Sequence, residues 1–197
     1  MEAAATILAG GQNVRMGKNK SLLPIGEKLL IDLIIEQLQS VVQEIIIVTN
    51  EPELYRDQNV IFTKDRLSYR GPLCGIHAAL LQSTYQYNFI VACDMPFIQA
   101  QSIRELLELS PGYDVVVPKI GKHLQPLYAV YSKNCLPAIE KSLQRGERKV
   151  VAFYDQVRVR YVEEEIINQW GSLEQLFFNV NTPDDYAKAK EKIKEGT

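Results

Sequence analysis

The sequence predicts an α/β protein: a mostly parallel β-sheet between two layers of helices, in a three-layer αβα, Rossmann-like arrangement. Short apolar runs rich in β-branched residues alternate with segments whose apolar residues recur at helical spacing. Runs that are apolar along nearly their whole length are typical of parallel strands buried on both faces. The first run leads directly into a pair of glycines, which is typical of the ligand-binding loops of this fold class.

Five strands and three helices are expected in the first 117 residues. Apolar runs bounded by polar or turn residues predict the strands, and apolar residues at helical spacing predict the helices. One helix opens with Gly71-Pro72, since proline is favoured in the first helical turn. The predicted strands are residues 3–9, 44–49, 60–63, 88–93 and 113–117, and the predicted helices are 29–38, 72–82 and 101–109.

The later residues are less regular. Strands are expected at 127–131 and at 157–161, the second half-exposed because its apolar and polar residues alternate. A helix is expected at 135–143. A last helix runs to about Lys194, with Thr182 as its N-cap, followed by a proline and two acidic residues that favour the positive end of the helix dipole.

Length, charge and cysteine content exclude several classes of protein. With 197 residues, 46% of them hydrophobic, we expect a single domain spanning residues 1–197. A net charge of −2 and the lack of an extended basic face argue against a nucleic-acid partner. No apolar stretch approaches the roughly 20 residues of a membrane helix, and the N-terminus lacks the basic segment of a signal peptide. Three cysteines without metal-binding spacing indicate a reducing compartment, so we expect a cytoplasmic protein with no membrane partner.

The loop after the first strand has the composition of a polyphosphate site. Gly10 and Gly11 allow main-chain N–H groups to approach phosphate oxygens with no Cβ in the way. Arg15, Lys18 and Lys20 follow closely and would add charge-assisted hydrogen bonds. The spacing matches neither the dinucleotide fingerprint nor the Walker A loop. A strand-to-helix turn with incidental glycines is the structural alternative.

Two aspartates follow predicted strands. Asp65 follows the strand at 60–63, and Asp94 ends the strand at 88–93, where Met95-Pro96 turns the chain. Because ligands bind at the carboxyl ends of parallel strands, we expect both aspartates to lie beside the glycine loop. Mg²⁺ takes one or two carboxylates and shares its other positions with water and substrate phosphates, which suits Asp94. Alternatively, Asp94 satisfies N–H groups of its turn. Asp65 either receives a sugar hydroxyl or base edge or pairs with a neighbouring cation in solvent.

Four motifs, in the same order along the chain, resemble those of the molybdenum cofactor guanylyltransferases. They are Leu8-Ala9-Gly10-Gly11-x-x-x-Arg15-Met16-Gly17-x-x-Lys20, Gly71-Pro72-Leu73-x-Gly75, Cys93-Asp94-x-Pro96 and Asn179-Val180-Asn181-Thr182-Pro183. The resemblance spans nearly the full chain. It implies the fold of the nucleotide-diphospho-sugar transferases. It also implies an enzyme that uses Mg²⁺ to transfer GMP from GTP to molybdopterin, which yields the guanine dinucleotide cofactor and pyrophosphate.

The same resemblance implies roles for the matched residues. The implied GTP-binding residues are Leu8, Ala9, Gly10, Gly11, Lys20, Asp65 and Asp94, and the implied catalytic residues are Arg15, Lys20 and Asp94. Asp94 would also bind the metal, and Asn179 and Asn181 would lie near the acceptor. Residues 1–117 would then form a nucleotide-binding half and residues 118–197 an acceptor-binding half. Protein partners are implied among molybdoenzymes and other proteins of cofactor biosynthesis.

Basic residues of the second half offer a patch for a phosphate-bearing acceptor. The alternative is an ordinary solvated surface, which is the commoner role of any single exposed cation. These residues are Lys119, Lys122, His123, Arg145, Arg148 and Lys149.

Three other functions stay open beside GMP transfer. The resemblance favours guanine over the cytidylyltransferase of the same cofactor, a family that usually carries alanine at the position of Gly10 and acidic residues at those of Asn179 and Asn181. A nucleotidyltransferase for a sugar phosphate, or for a different base, is the second alternative. A nucleotide-binding module without catalysis is the third, and Asp94 argues against it because simple binding needs no metal carboxylate there.

Overall fold

The computed structural model describes residues 1–10, 20–55, 59–64 and 71–195. Strands and helices alternate through the first half of this part of the chain, as the sequence predicts. In chain order the strands are β1 (Ala4–Leu8), β2 (Pro24–Ile25), β3 (Lys28–Leu29), β4 (Glu44–Val48), β5 (Ile61–Thr63), β6 (Tyr87–Ala92), β7 (Val115–Ile120), β8 (His123–Leu124), β9 (Tyr128–Ser132) and β10 (Val159–Val162). The α-helices are α1 (Leu30–Gln39), α2 (Pro72–Gln82), α3 (Ala100–Glu108), α4 (Leu136–Gln144), α5 (Glu164–Ile167), α6 (Leu173–Leu176) and α7 (Pro183–Glu195).

One mixed, mostly parallel sheet forms the centre of the fold. Its strands follow the order β10–β7–β9–β6–β1–β4–β5, and β8 pairs with β7 at one end of that strand. The neighbours β6, β1, β4 and β5 are parallel, and β10 is parallel to β7. Strand β9 is antiparallel to both β6 and β7. The prediction of a mostly parallel sheet is therefore confirmed.

Helices cover both faces of the sheet, which confirms the three-layer prediction. Successive residues of a strand point to opposite faces, so Phe89 and Val91 pack in one apolar cluster and Ile90 in the other. The first cluster includes buried side chains of α1, α3, α5, α6 and α7. The second includes those of α2, α4 and the 3-10 helix Val150–Gln156.

All the predicted strands and helices are present in the described residues, with ends shifted by a few positions. The sequence did not predict the β2–β3 hairpin, which turns at Gly26 with φ +62°, a conformation that favours glycine. It also missed α5, α6 and the 3-10 helices, whose few residues give no clear periodicity. The three cysteines are buried, and none of them forms a disulfide. None of the helices within the described ranges is both long enough and apolar enough to cross a membrane.

The predicted cap of the last helix is confirmed. The Thr182 hydroxyl accepts a hydrogen bond from the N–H of Asp185 at 3.1 Å. In return, the Asp185 carboxylate accepts one from the N–H of Thr182 at 2.9 Å and one from that of Asn181 at 3.1 Å. Such reciprocal capping satisfies N–H groups that have no partner within the helix. It also fixes the backbone of the segment that leads into α7.

Asp114 ties three strands together at the end of the sheet where β7 begins. Its carboxylate accepts hydrogen bonds from the backbone N–H of Arg158 at 3.0 Å and from the Asn134 amide at 3.2 Å. It also pairs with the Arg158 guanidinium, with 3.3 Å between Nε and Oδ2. Burial by itself raises the pKa of Asp114, but the hydrogen bonds and charge of Arg158 outweigh it, so the pKa lies below its ordinary value.

We expect Asp114→Asn to lower the free energy of unfolding by about 1–2 kcal/mol at pH 7, because charge-assisted hydrogen bonds are lost. A carboxyl group with a lowered folded-state pKa stabilises the fold fully above its unfolded-state pKa of about 3.9. That contribution is lost as the pH falls through the lower, folded-state value. Urea unfolding of wild type and variant between pH 7 and pH 3 measures it, with the exposed Asp155→Asn as control. A deficit that persists unchanged at pH 3 would contradict the electrostatic origin.

Candidate active site

Four parallel strands end at the same level and form one rim of the sheet. In the pairing register, Leu8 lies opposite both Val48 and Ala92, and Val48 lies opposite Thr63. These four residues are the last of β1, β4, β6 and β5. The loops that follow these strands therefore leave the sheet side by side, where open α/β sheets bind their ligands.

Two backbone hydrogen bonds extend this alignment beyond the strands. The N–H of Ala9 donates to the carbonyl of Val48 at 3.0 Å, and the N–H of Cys93 donates to the carbonyl of Leu8 at 3.2 Å. Gly10 and Asp94 are the next residues of their two segments. The predicted convergence of the glycine loop and Asp94 at one edge is thereby confirmed for the start of that loop. Gly11, Arg15 and Asp65 lie outside the described residues.

Lys20 also lies at this rim, and its cationic side chain is buried. It begins the 3-10 helix Lys20–Leu22 and is only 4% exposed. Its Nζ donates a hydrogen bond to Oδ1 of Asn181 at 3.0 Å. Lysine is rarely this buried, since removing an ammonium group from water is costly.

Asp94 is the acidic counterpart of Lys20. Burial raises the pKa of its carboxyl group above the ordinary value, while the positive charge of Lys20 acts in the opposite direction. The two charges thus interact, yet no ion pair within 4.0 Å joins them among the ion pairs of the described residues. The charged atoms of the two side chains therefore lie more than 4.0 Å apart, which leaves both charges available to a ligand.

The carboxylate of Asp94 fits a hard cation. Its Oδ1 is buried, and no hydrogen-bond donor among the described residues satisfies it. A buried, unpartnered carboxylate oxygen is costly unless a ligand completes it. The ranges described contain no cluster of three or more His, Cys, Asp or Glu side chains able to hold a metal on their own. This arrangement suits an ion such as Mg²⁺, which takes one or two carboxylates and completes its shell with water and substrate phosphates.

The segment before α7 is joined to the rim by its backbone and by a side chain. The N–H of Val180 donates to the carbonyl of Asp94 at 2.8 Å, and the Asn181 side chain accepts from Lys20. Asn179 differs, because its amide donates to the carbonyl of Phe177 at 2.7 Å within the same segment. The structure therefore brings Asn181 to Lys20 and uses Asn179 to hold a local turn. Acceptor binding by either asparagine stays a prediction.

Helix α2 begins beside the same rim because two glycines allow it. Gly71, at its N-cap, has φ +137°, a conformation that side-chain-bearing residues rarely adopt. One turn into the helix, a Cβ on Gly75 would lie 3.0 Å from Cδ2 of Leu8, so glycine permits the close approach of α2 to the end of β1. The backbone of Arg148 lies against Gly71, 3.8 Å from the position of a Cβ there. One cation of the predicted basic patch thus lies next to α2, whereas Lys119 pairs with Glu163.

The sequence did not single out Asn50 as a residue of this rim, and it did not predict the link between the two ends of the chain. Asn50 is exposed just beyond the end of β4, two residues past Val48, and so lies at the same rim. A single asparagine after a strand is common in turns and gives no signal of its own. The pairing of Lys20 with Asn181 spans 161 positions and has no local signature.

Comparison with known proteins agrees with this arrangement. Residues 5–159 match the family described as MobA-like NTP transferase domain. The chain belongs to this family. Its members are nucleotidyltransferases, and the family resemblance predicted from the four motifs is confirmed.

Relatives of this MobA-like chain match it over almost their whole length. A probable molybdenum cofactor guanylyltransferase of Pelotomaculum thermopropionicum is 45% identical over 190 residues, covering 96% of this chain and 93% of the relative. A molybdenum cofactor guanylyltransferase of Desulfosudis oleivorans is 36% identical, covering 96% and 95%. The crystal structure of molybdopterin-guanine dinucleotide biosynthesis protein A from Archaeoglobus fulgidus has a TM-score of 0.84 at 27% identity, covering 98% and 99%. The predicted nucleotidyltransferase fold is thus confirmed.

The cost of burying Asp94 leads to a prediction about stability. In the metal-free protein we expect Asp94→Asn to raise the free energy of unfolding by about 1 kcal/mol at pH 7, because the amide has no charge to desolvate. A carboxyl with a raised folded-state pKa destabilises the fold above that value, and the effect vanishes below the unfolded-state pKa of about 3.9. The gain should therefore shrink towards pH 4 in urea unfolding, whereas Asp114→Asn should lose stability at pH 7. A less stable Asp94→Asn protein at pH 7 would show that the carboxylate is structural.

Proposed function

We propose that this chain transfers GMP from GTP to molybdopterin, forming the guanine dinucleotide cofactor and releasing pyrophosphate. One observation carries the proposal: at the rim beside Gly10, buried Lys20 and half-buried Asp94 form no ion pair with each other, and one Asp94 oxygen has no partner among the described residues. Relatives that match nearly the full chain and are named for this activity support the choice of nucleotide and acceptor. Asn179 and Asn181, where the cytidylyltransferase family usually has acidic residues, favour guanine over cytosine.

We assign the nucleotide to the loops after β1 and β6. The main chain of Leu8, Ala9, Gly10 and Gly11 would bind GTP. The N–H groups of the glycines would donate to phosphate oxygens, since the N–H of Ala9 is already bonded to Val48. Lys20 would contact the phosphates, and Arg15 would join it in stabilising the departing pyrophosphate. Asp65 would contact the nucleotide from the loop after β5.

The transfer needs charge neutralisation more than proton removal. An oxygen of the acceptor's terminal phosphate forms a bond to the α-phosphorus of GTP. The bond from that phosphorus to the oxygen bridging the β-phosphate breaks, and its electron pair leaves with pyrophosphate. A phosphate monoester has a second pKa near 6, so at pH 7 the attacking oxygen is largely deprotonated and no strong base is needed. Lys20 and the loop N–H groups would stabilise the added negative charge, which is the main barrier when anions meet.

Asp94 would hold a divalent cation, and we propose Mg²⁺. When bound, the ion would act as a Lewis acid that neutralises phosphate charge. The burial of Asp94 and its unpartnered oxygen are the features of this chain that support it. Asp94 also keeps its carboxylate near Lys20 without pairing directly, so both charges stay available to the nucleotide.

We assign the acceptor to residues 118–197 of a single domain, with residues 1–117 binding the nucleotide. Arg148, whose backbone lies against Gly71 at the start of α2, is a candidate for the acceptor's phosphate. Three buried cysteines without a disulfide are in keeping with the reducing cytoplasm, where this cofactor's enzymes would be its partners.

The choice of nucleotide is tested by pyrophosphate release with molybdopterin as acceptor. We expect turnover with GTP and Mg²⁺ to exceed that with CTP, ATP or UTP by at least about 10-fold, because a polar pocket rejects bases that leave its groups unpaired. Equal or faster release with CTP would identify a cytidylyltransferase. Protection from heat by GTP without any release would identify a binding module.

The role of Lys20 is tested by Lys20→Met, which keeps the length of the side chain and removes its charge. We expect kcat/KM for GTP to fall by about 10²-fold, the usual cost of removing one electrostatic group from a transition state. Lys28→Met, which removes an exposed lysine paired with Glu36, is the matched control and should keep normal turnover. A Lys20→Met protein with a lowered Tm and normal kcat/KM would make Lys20 a structural residue.

A further inference from the structure

We propose that Asn181 is a positioning residue that holds the Lys20 ammonium apart from Asp94, so that the two charges cannot neutralise each other before GTP binds. The inference rests on the proposed function and assigns Asn181 an action through Lys20. Its basis is the 3.0 Å hydrogen bond from Lys20 Nζ to Asn181 Oδ1, at a rim where a buried oxygen of Asp94 finds no donor in the residues that the structure describes.

A buried ammonium group next to a carboxylate would ordinarily form an ion pair. Lys20 has three N–H donors and a flexible stem, and Asp94 lies near enough for their charges to interact. Oδ1 of Asp94 nevertheless has no partner among the described residues, and the hydrogen bond of Lys20 goes to an amide oxygen instead. Asn181 therefore supplies the acceptor that competes with Asp94.

An amide suits this task better than a carboxylate does. Asn181 accepts a hydrogen bond without adding a negative charge, so the full positive charge of Lys20 stays available to phosphate. A salt bridge between Lys20 and Asp94 would occupy the oxygen that the metal needs and the cation that the phosphates need. The neutral partner thus keeps both groups ready for substrate.

The backbone of Asn181 is fixed from two sides. Its N–H donates to the Asp185 carboxylate of the α7 cap at 3.1 Å. The preceding residue, Val180, is buried and donates its N–H to the Asp94 carbonyl at 2.8 Å. Val180 thus contacts the backbone of Asp94, and its neighbour Asn181 contacts the side chain of Lys20. This pair of residues sets the distance between the segments that carry Asp94 and Lys20.

A double-mutant cycle tests this role, using wild type, Asn181→Ala, Lys20→Met and the double variant. We expect Asn181→Ala to lower kcat/KM for GTP by about 10-fold and to raise the Mg²⁺ concentration for half-maximal rate, since a released Lys20 competes for Asp94. KM for molybdopterin should change less than about 2-fold. In the Lys20→Met background, Asn181→Ala should cost less than about 2-fold more, because its partner is already absent. The exposed Asn168→Ala is the control for surface asparagine loss.

Equal losses in both backgrounds, or a change confined to KM for molybdopterin, would overturn the proposal and make Asn181 an acceptor-binding residue. The cycle separates the two roles because a group that contacts the acceptor acts independently of Lys20.

A second measurement needs no turnover. Mild acylation of lysines in the full-length protein, followed site by site by mass spectrometry, reports the freedom of each amine. We expect Lys20 to stay protected in Asn181→Ala, where it pairs with Asp94, and to react at least about 5-fold faster in Asn181→Ala/Asp94→Asn than in Asp94→Asn, because the amine then has neither acceptor; exposed Lys28 is the internal reference. Asn181→Asp, which keeps an oxygen acceptor, should retain the protection. An equal Lys20 rate in Asn181→Ala/Asp94→Asn and Asp94→Asn would overturn the proposal, whereas absence of GTP-dependent turnover in wild type would overturn only the proposed function.

Discussion

The shared ending level of β1, β4, β5 and β6 is the constraint on which the site depends. Parallel hydrogen bonding in register places Leu8 opposite both Val48 and Ala92, so the loops that follow start side by side. The register is fixed by side chains that are buried on both faces, since a slip of one residue would turn every one of them to the other face. Without it, a glycine loop and an aspartate more than eighty residues apart would have no reason to meet.

The charged side chains at this rim lower the stability of the fold. The protein buries Lys20 and half-buries Asp94 there, and one Asp94 oxygen has no partner within the described part of the chain, although each feature costs free energy. At the opposite end of the sheet, Asp114 shows the stabilising arrangement, with its carboxylate fully engaged by Arg158 and Asn134. The two aspartates thus have different roles. Asp94 keeps its charge for a ligand, whereas the charge of Asp114 stabilises the fold.

The sequence predicted the fold well because its signals are local. Burial on both faces makes the parallel strands apolar, and Gly71-Pro72 and Thr182 mark helix starts by capping chemistry. Strand β9 was predicted, but its direction was not. The antiparallel direction is set by pairing with β6 and β7, and the five residues of the strand carry no sequence signal for it. Lys20 and Asp94 could be singled out as candidates, but their separation by Asn181 could not. That feature depends on a contact between distant parts of the chain, and only folding brings them together.

The central claim is that one nucleoside triphosphate contacts the glycine loop, Lys20 and Asp94. Hydrogen–deuterium exchange with and without GTP and Mg²⁺ tests it directly, because a bound ligand slows the exchange of the backbone it covers. Slower exchange is predicted together in peptides that cover Leu8–Lys20, Asp94 and Asn181, with the peptide around Asp114 unaffected. Protection that appears at only one of these three segments, or away from all of them, would contradict the account.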